Sequence, residues 1–165
     1  WRNFTMAKTY DMISELLKDA GKLKTRKEKI EFLQKNNSMP LRTILKGAFD
    51  PALEFILPEG EPPYKKDGAP EGLSPSNLFK QMSYFQYFDK GGVGDNMSAA
   101  KRERLFIQLL ESIHPAEAEI VLLMKDKKLG GVYKGITKKL VSDAFPGLIK
   151  GSSKPVEEAA KVNNN

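Results

Sequence analysis

The chain has 165 residues, of which 40% are hydrophobic and 29% are charged, so it can form one domain with a hydrophobic core. It contains no cysteine and a single histidine, which excludes a disulfide scaffold, thiolate zinc sites and a cysteine nucleophile, and leaves little for a histidine-based metal site or catalytic triad. The formal net charge of +6 is typical of proteins with polyanionic partners such as nucleic acid or acidic membranes, but it fits a merely solubilising basic surface equally well, so local clustering of charge must decide. No apolar run is long enough for a transmembrane helix.

Three amphipathic helices are predicted before residue 50. Apolar residues at helical spacing predict the first helix over residues 9–20. Thr25 and Glu28 form a capping-box pattern that opens the second helix, which extends to about residue 34. Pro40 suits the first turn of the third helix. The apolar face of that helix comprises Leu41, Ile44, Leu45 and Ala48.

Residues 50–75 differ in composition from the rest of the chain. They contain six prolines, which exclude a long helix and argue against a sheet. We expect a long ordered excursion that packs on the body of the protein through Phe55, Ile56, Leu57 and Tyr64. A loop of this length in a compact domain is often functional.

Ser74 or Ser76 is expected to cap a fourth helix that runs to about Phe88. Its large apolar side chains recur at helical spacing, which indicates core packing rather than exposed rings for base stacking. These side chains are Leu78, Phe79, Met82, Phe85 and Phe88. The run at residues 91–94, GGVG, lacks the preceding strand and the following lysine of a phosphate-binding loop, so we interpret it as a flexible turn.

Three more helices are predicted in the last part of the chain. Ser98 starts one that runs to about residue 113. Pro115 begins the next, with His114 as its cap, and this helix is apolar on nearly every side, which predicts a central position. Thr137 caps a last helix that stops at about residue 146.

The predicted fold class is therefore all-α, with a single helical bundle of about seven helices over residues 9–149 and one proline-rich excursion. Residues 1–8 are interpreted as a disordered or added N-terminus. Residues 150–165 are interpreted as a polar, flexible tail.

Lysine is concentrated before and within the start of the last helix. Residues 125–139 hold six lysines and one acid. Glycines in this segment let the backbone approach a ligand, a helix start adds N–H donors, and lysines displace the counterions of a duplex. Phosphate binding is therefore favoured over a solvated basic loop. The candidate contacts are Lys127, Lys128, Lys134, Lys138 and Lys139.

A second basic run, residues 22–29, also lies at a turn that enters a helix. Its candidate phosphate contacts are Lys24, Arg26 and Lys27. Two such segments can hold the DNA backbone on either side of one site only if they share a face of the protein, and the sequence leaves this open.

The segment LGGVYKGITKKLV at residues 129–141, with AFPGLI at 144–149, resembles the N-terminal helical DNA-binding domain of ATP-dependent DNA ligases, especially the short form in tailed-phage ligases. TRKEKIEFL at residues 25–33 resembles the second helix of that domain, and helix order is similar over most of residues 9–149. The resemblance implies a bundle that lies along the minor groove and binds both backbones without reading sequence. By position, it implies phosphate contact at Gly131, Lys134, Gly135, Thr137, Lys138 and Lys139.

The 165 residues depart from a ligase, because they are too few to include a nucleotidyltransferase domain after the helical part. The segment KKDG at residues 65–68 fits the pattern of an adenylated lysine, but Pro70 stands where an arginine is expected, so we interpret it as a turn. No carboxylate pair, serine–histidine arrangement or metal cluster indicates another chemistry. We therefore expect no catalysis, no cofactor and no bound metal.

The expected function is non-sequence-specific binding of double-stranded DNA in phage DNA replication, repair or packaging, alone or beside a separate ligase-like catalytic chain. The alternative is a protein-interaction or virion structural component on the same scaffold, which contacts a phage or host protein through residues 50–75 and the polar tail. No membrane partner is expected, and the expected location is the cytoplasm of an infected cell or the virion. The preferred DNA structure and the oligomeric state are left open.

Overall fold

Eight α-helices and two 3-10 helices make up the described part of the computed structural model, which comprises residues 10, 12–66, 68, 74 and 76–150. The α-helices are α1 (Ile13–Lys22), α2 (Arg26–Lys35), α3 (Met39–Phe49), α4 (Leu78–Gln81), α5 (Ala99–Ser112), α6 (Pro115–Lys125), α7 (Leu129–Val132) and α8 (Lys138–Ala144). The 3-10 helices are Met82–Tyr87 and Val93–Asn96. Over these residues the extended structure is limited to one isolated bridge between Phe55 and Asp89, so the all-α prediction is confirmed. The predictions for residues 1–8 and 151–165 lie outside the described residues.

The central helix is α6, as its apolar sequence predicts. It packs against α1, α3 and α5, and its side chains Ala118, Ile120, Val121 and Met124 are buried. Contact with α3 is close because Gly47 has no side chain: a Cβ at this position would lie 2.7 Å from the Met124 sulfur. The core therefore forms around α6, and the remaining helices cover it.

Most helix starts lie where the sequence places them, because their caps are local. Thr25 accepts a hydrogen bond from the Glu28 N–H and the Glu28 side chain accepts one from the Thr25 N–H, which completes the predicted capping box. Ser98 and Thr137 cap α5 and α8, and His114 Nδ1 accepts a hydrogen bond from the Ala116 N–H at the start of α6.

The start of α1 is capped from a distance. Glu117 on α6 is 1% exposed, and its two carboxylate oxygens accept hydrogen bonds from the N–H groups of Ile13 and Ser14 at 2.8 and 2.7 Å. Burial raises the pKa of this carboxyl, and the N–H groups of Ser14 and Ile13 offset part of that rise. One buried side chain thus satisfies two of the orphan N–H groups of α1 and joins α1 to the central helix.

The fourth predicted helix is shorter than expected. Asn77, and not Ser74 or Ser76, caps α4, which becomes a 3-10 helix after Gln81. A 3-10 helix repeats every three residues, so Phe85 and Phe88 both face the core. Phe79 is 42% exposed, which corrects its prediction as a core residue.

Residues 50–66 form an ordered excursion without a helix, as expected for the first part of the 50–75 segment, and residues 67, 69–73 and 75 of that prediction lie outside the described residues. Phe55, Leu57 and Tyr64 pack against the core, and Arg102 donates hydrogen bonds to the carbonyls of Ile56 and Gly94. The GGVG run is linked to the excursion through Arg102, which binds the carbonyls of both Ile56 and Gly94. From Val93 this run forms a 3-10 helix, where the sequence predicted a flexible turn.

Candidate nucleic-acid interface

The first lysines of the 125–139 segment support the fold. Lys125 has a side chain that is only 2% exposed. Its ammonium donates hydrogen bonds to the carbonyls of Pro58 and Gly60 and to Asp126, at 2.8, 3.0 and 2.6 Å. The charge of Lys125 is therefore compensated inside the protein, where it holds the proline-rich excursion against α6.

Lys127 also has a structural role, which counts against its prediction as a phosphate contact. Its backbone has a positive φ of 60°, and its ammonium donates hydrogen bonds to the carbonyls of Gly47, Asp50 and Leu53 at 2.6, 2.9 and 2.5 Å. Partial burial lowers the pKa of this amine, and the neighbouring carboxylates, Asp50 first, oppose the shift. Lys127 thus closes the end of α3 and fixes the start of the excursion.

Lys128 lies near the excursion as well. It is exposed and faces Glu59 at 3.7 Å, a weak ion pair between two solvated side chains. The following glycines form the short helix α7, where the sequence suggested an open turn. The Gly131 N–H donates a hydrogen bond to the Lys128 carbonyl, and the space that a Gly131 side chain would take is open. The phosphate contact that the resemblance implies at Gly131 stays a prediction.

The later lysines of the segment remain directed to solvent. Lys134 and Lys139 are exposed and Lys138 is half-buried. Within the described part of the chain, none of their ammonium groups takes part in an ion pair or a side-chain hydrogen bond. The backbone that carries these lysines is anchored to the protein, because the side chains of Ile136 and Leu140 are buried in the core.

These lysines lie beside the second basic run because α8 packs on α2. Arg26 forms an ion pair with Asp143 and donates a hydrogen bond to the Lys139 carbonyl, and Gln34 donates one to the Ala144 carbonyl at 2.9 Å. The condition that the sequence left open is therefore met: the two basic segments adjoin on one side of the protein. We call the solvent-facing residues of 22–29 and 134–143 the α2–α8 surface.

The two segments also touch through glycine. A Cβ on Gly135 would lie 3.0 Å from the Lys29 Nζ and 3.2 Å from the Gly21 Cα. The loop before α8 therefore rests directly on the α1–α2 turn. Lys29 was not among the predicted phosphate contacts, because its position beside Gly135 depends on two segments that are far apart in the sequence.

The charge of the protein is concentrated on the α2–α8 surface. Residues 22–29 and 134–143 together hold eight basic and two acidic residues, a net charge of +6 that equals that of the whole chain. The hydrogen bond from Arg26 lowers the pKa of the Asp143 carboxyl, so one of the two acids is paired with a cation. In addition to Lys29, five lysines of this surface have an ammonium group without an ion-pair partner among the described residues. They are Lys24, Lys27, Lys134, Lys138 and Lys139.

The described residues contain no group of three or more histidine, cysteine, aspartate or glutamate side chains that could hold a metal ion. None of the helices in this part of the chain is long and apolar enough to cross a membrane. The basic surface is thus the most distinctive polar feature of the described residues.

Fold and surface together define an all-α protein with a localised basic face. A family model matches residues 16–131, from within α1 to within α7, and the chain belongs to that family, the family of unknown function DUF6433. No curated protein and no solved structure matches the chain. The resemblance to ligase DNA-binding domains therefore stays a prediction, and most of its strongest segment, residues 129–149, lies beyond the family match.

Proposed function

We propose that this protein binds double-stranded DNA through the phosphate backbone, using the α2–α8 surface, and that it catalyses no reaction by itself. The observation that supports the proposal is the packing of α8 on α2, which joins the two most basic segments of the chain. These segments contain few acids, and five of their ammonium groups have no ion-pair partner among the described residues. A surface of this kind attracts a polyanion and releases its counterions on binding.

Binding of this kind has a calculable salt dependence. Each neutralised phosphate contributes about −0.9 to the slope of the logarithm of affinity against the logarithm of salt concentration. The five ammonium groups without ion-pair partners on the α2–α8 surface therefore give a slope near −4.5. That slope corresponds to a loss of roughly 500-fold in affinity between 50 and 200 mM salt. Lysine contacts to phosphate do not distinguish bases, so different sequences should bind alike.

The resemblance to the ligase domain refines this proposal. It suggests that the bundle lies along the minor groove and contacts both strands, with Lys134, Lys138 and Lys139 on the backbone. A protein of this kind would protect or mark nicked or newly made duplex, or support a separate catalytic chain. Nicked duplex should then bind more tightly than intact duplex or single strands.

The test compares two triple variants by fluorescence anisotropy with a labelled 30-base-pair duplex. Lys134, Lys138 and Lys139 are changed to Glu in one variant, and a control carries the same change at three lysines outside the surface. The control positions are Lys66, Lys80 and Lys101, all exposed. We expect the first variant to lose binding and the control to keep most of it. Equal loss in both would show that only net charge matters, and salt-insensitive binding by the unmodified protein would refute the proposal.

Protein–protein interaction is a second candidate function, and the excursion provides its supporting observation. Residues 57–63, α5 and Lys125 enclose a pocket of about 400 Å³ that has an apolar floor including Phe106 and Ile107. Nuclease-treated protein that still co-purifies with one stoichiometric partner, and loses it on Ile107→Asp, would support this candidate. Retention of nucleic acid without a protein would argue against it.

A further inference from the structure

Lys29 occupies an unusual position for a lysine. It is half-buried in the first turns of α2, whereas the neighbouring Lys24 and Lys27 are exposed. Over the described residues, no ion pair or hydrogen bond engages its ammonium. A half-buried ammonium that no carboxylate of the described residues neutralises is a candidate partner for an anion.

The nearest part of the second basic segment is Gly135, which lies directly beside that ammonium. The backbone of Gly135 does not have a positive φ, so glycine is not required there by conformation. A side chain at this position would clash with its neighbours, because its Cβ would lie 3.0 Å from Lys29 Nζ and 3.2 Å from Gly21 Cα. Glycine at this position thus allows the loop before α8, which carries Lys134, to pack directly against the Lys29 ammonium and the α1–α2 turn.

We propose that Lys29 and Gly135 form a phosphate subsite at the contact between the two basic segments, where one DNA phosphate is held by both. The subsite rests on the proposed DNA-binding function and adds a sixth ammonium to the five on the α2–α8 surface. Lys29 supplies the charge and hydrogen-bond donors. The absence of a side chain at Gly135 lets the loop before α8 pack against the Lys29 ammonium and Gly21, so this loop lies beside the bound phosphate. A duplex bound there fixes the α1–α2 turn and the loop before α8 in one arrangement.

The first experiment removes the charge of Lys29 and compares it with a matched removal on the same helix. Lys29→Met and Lys35→Met cause the same change of net charge, but Lys35 is exposed at the opposite end of α2. Affinity for the 30-base-pair duplex is measured over a salt series. We expect Lys29→Met to reduce the salt slope by about 0.9 and the affinity by roughly five- to tenfold. Lys35→Met should leave the slope unchanged.

A second experiment tests whether Lys29 and Gly135 share one phosphate. In a double-mutant cycle, Gly135→Ala should weaken binding of the unmodified protein several-fold and have little further effect in the Lys29→Met background. Additive losses would indicate two separate contacts and overturn the shared subsite. Circular dichroism of each variant identifies any that fails to fold, and the Lys29→Met and Lys35→Met pair alone then decides.

The outcomes separate the subsite from the function on which it rests. Equal salt slopes for Lys29→Met and Lys35→Met, with strong binding by the unmodified protein, would overturn the subsite and leave the proposed function standing. An unmodified protein that does not bind duplex would overturn both. A reduced slope for Lys29→Met alone, with non-additive loss at Gly135, is the result we expect.

Discussion

Glu117 provides the sharpest stability prediction, because one buried side chain accepts hydrogen bonds from two N–H groups at the start of α1. Glu117→Ala leaves the N–H groups of Ile13 and Ser14 without their acceptors in a buried environment. A lost helix cap costs about 1 kcal/mol, and a buried unsatisfied donor costs about 1–3 kcal/mol. Relief of the buried carboxylate offsets part of this, so we expect a loss of about 2–3 kcal/mol.

Thermal unfolding followed by circular dichroism measures this loss. For a chain of this size, about 2–3 kcal/mol lowers the melting temperature by roughly 4–12 °C. Glu119→Ala is the matched control, since Glu119 lies on the same helix but is exposed, and its effect should stay within about 0.5 kcal/mol. A change below about 1 kcal/mol for Glu117→Ala would refute the idea that α1 depends on a cap from α6.

Glu117→Gln separates hydrogen bonding from charge. Gln keeps one acceptor and is neutral, so its unfolding free energy at pH 7 should lie within about 1 kcal/mol of the unmodified protein. Because burial raises the folded-state pKa of Glu117 above its ordinary 4.5, its contribution to stability is full below that value and is lost as pH rises through the folded pKa. The unmodified protein should therefore lose stability relative to Glu117→Gln over that window, and parallel pH profiles would contradict this.

Three further variants test other contacts. Lys127→Met should cost about 1–2 kcal/mol in chemical denaturation through loss of its carbonyl hydrogen bonds, yet change duplex affinity by less than about threefold. A larger loss of affinity would restore Lys127 as a phosphate contact. Asp143→Asn removes an acid from the α2–α8 surface and should raise affinity about twofold in the anisotropy assay; unchanged or lower affinity would count against that surface. Gly94→Ala places a Cβ 1.9 Å from the Tyr87 carbonyl oxygen, so it should cost at least about 3 kcal/mol, and a folded variant of normal melting temperature would contradict that contact.

Local chemistry made much of the fold predictable. The caps at Thr25, Ser98, His114 and Thr137 act within two to three residues, so their sequence patterns identify the helix starts directly. The bounds of the fourth helix were predicted wrongly, because Asn77 caps it instead of the neighbouring serines and because the turn tightens after Gln81. Neither of these changes the apolar pattern.

The sequence predicted where the basic segments lie but not which of their lysines are exposed. Whether a lysine ammonium is exposed depends on hydrogen-bond acceptors that are distant in the sequence. Lys125 and Lys127 bind carbonyls that are 65 to 80 residues earlier in the chain, and no local pattern distinguishes them from Lys134. The adjoining position of residues 22–29 follows from the packing of α2 on α8, which is again a long-range contact. Charge clustering thus located the basic segments, but it could not distinguish the lysines that bind carbonyls within the fold from those that stay exposed. The binding of DNA by these segments stays a prediction.

The central claim is that duplex DNA contacts the α2–α8 surface and not the excursion. The most direct measurement is a titration of isotope-labelled protein with a short duplex, followed through the backbone amide signals in two-dimensional NMR spectra. We expect shifts that grow with DNA concentration, vanish at high salt and cluster at residues 21–29 and 133–143. Shifts centred on residues 57–63 and 103–107 instead, or none at any salt concentration, would contradict the claim.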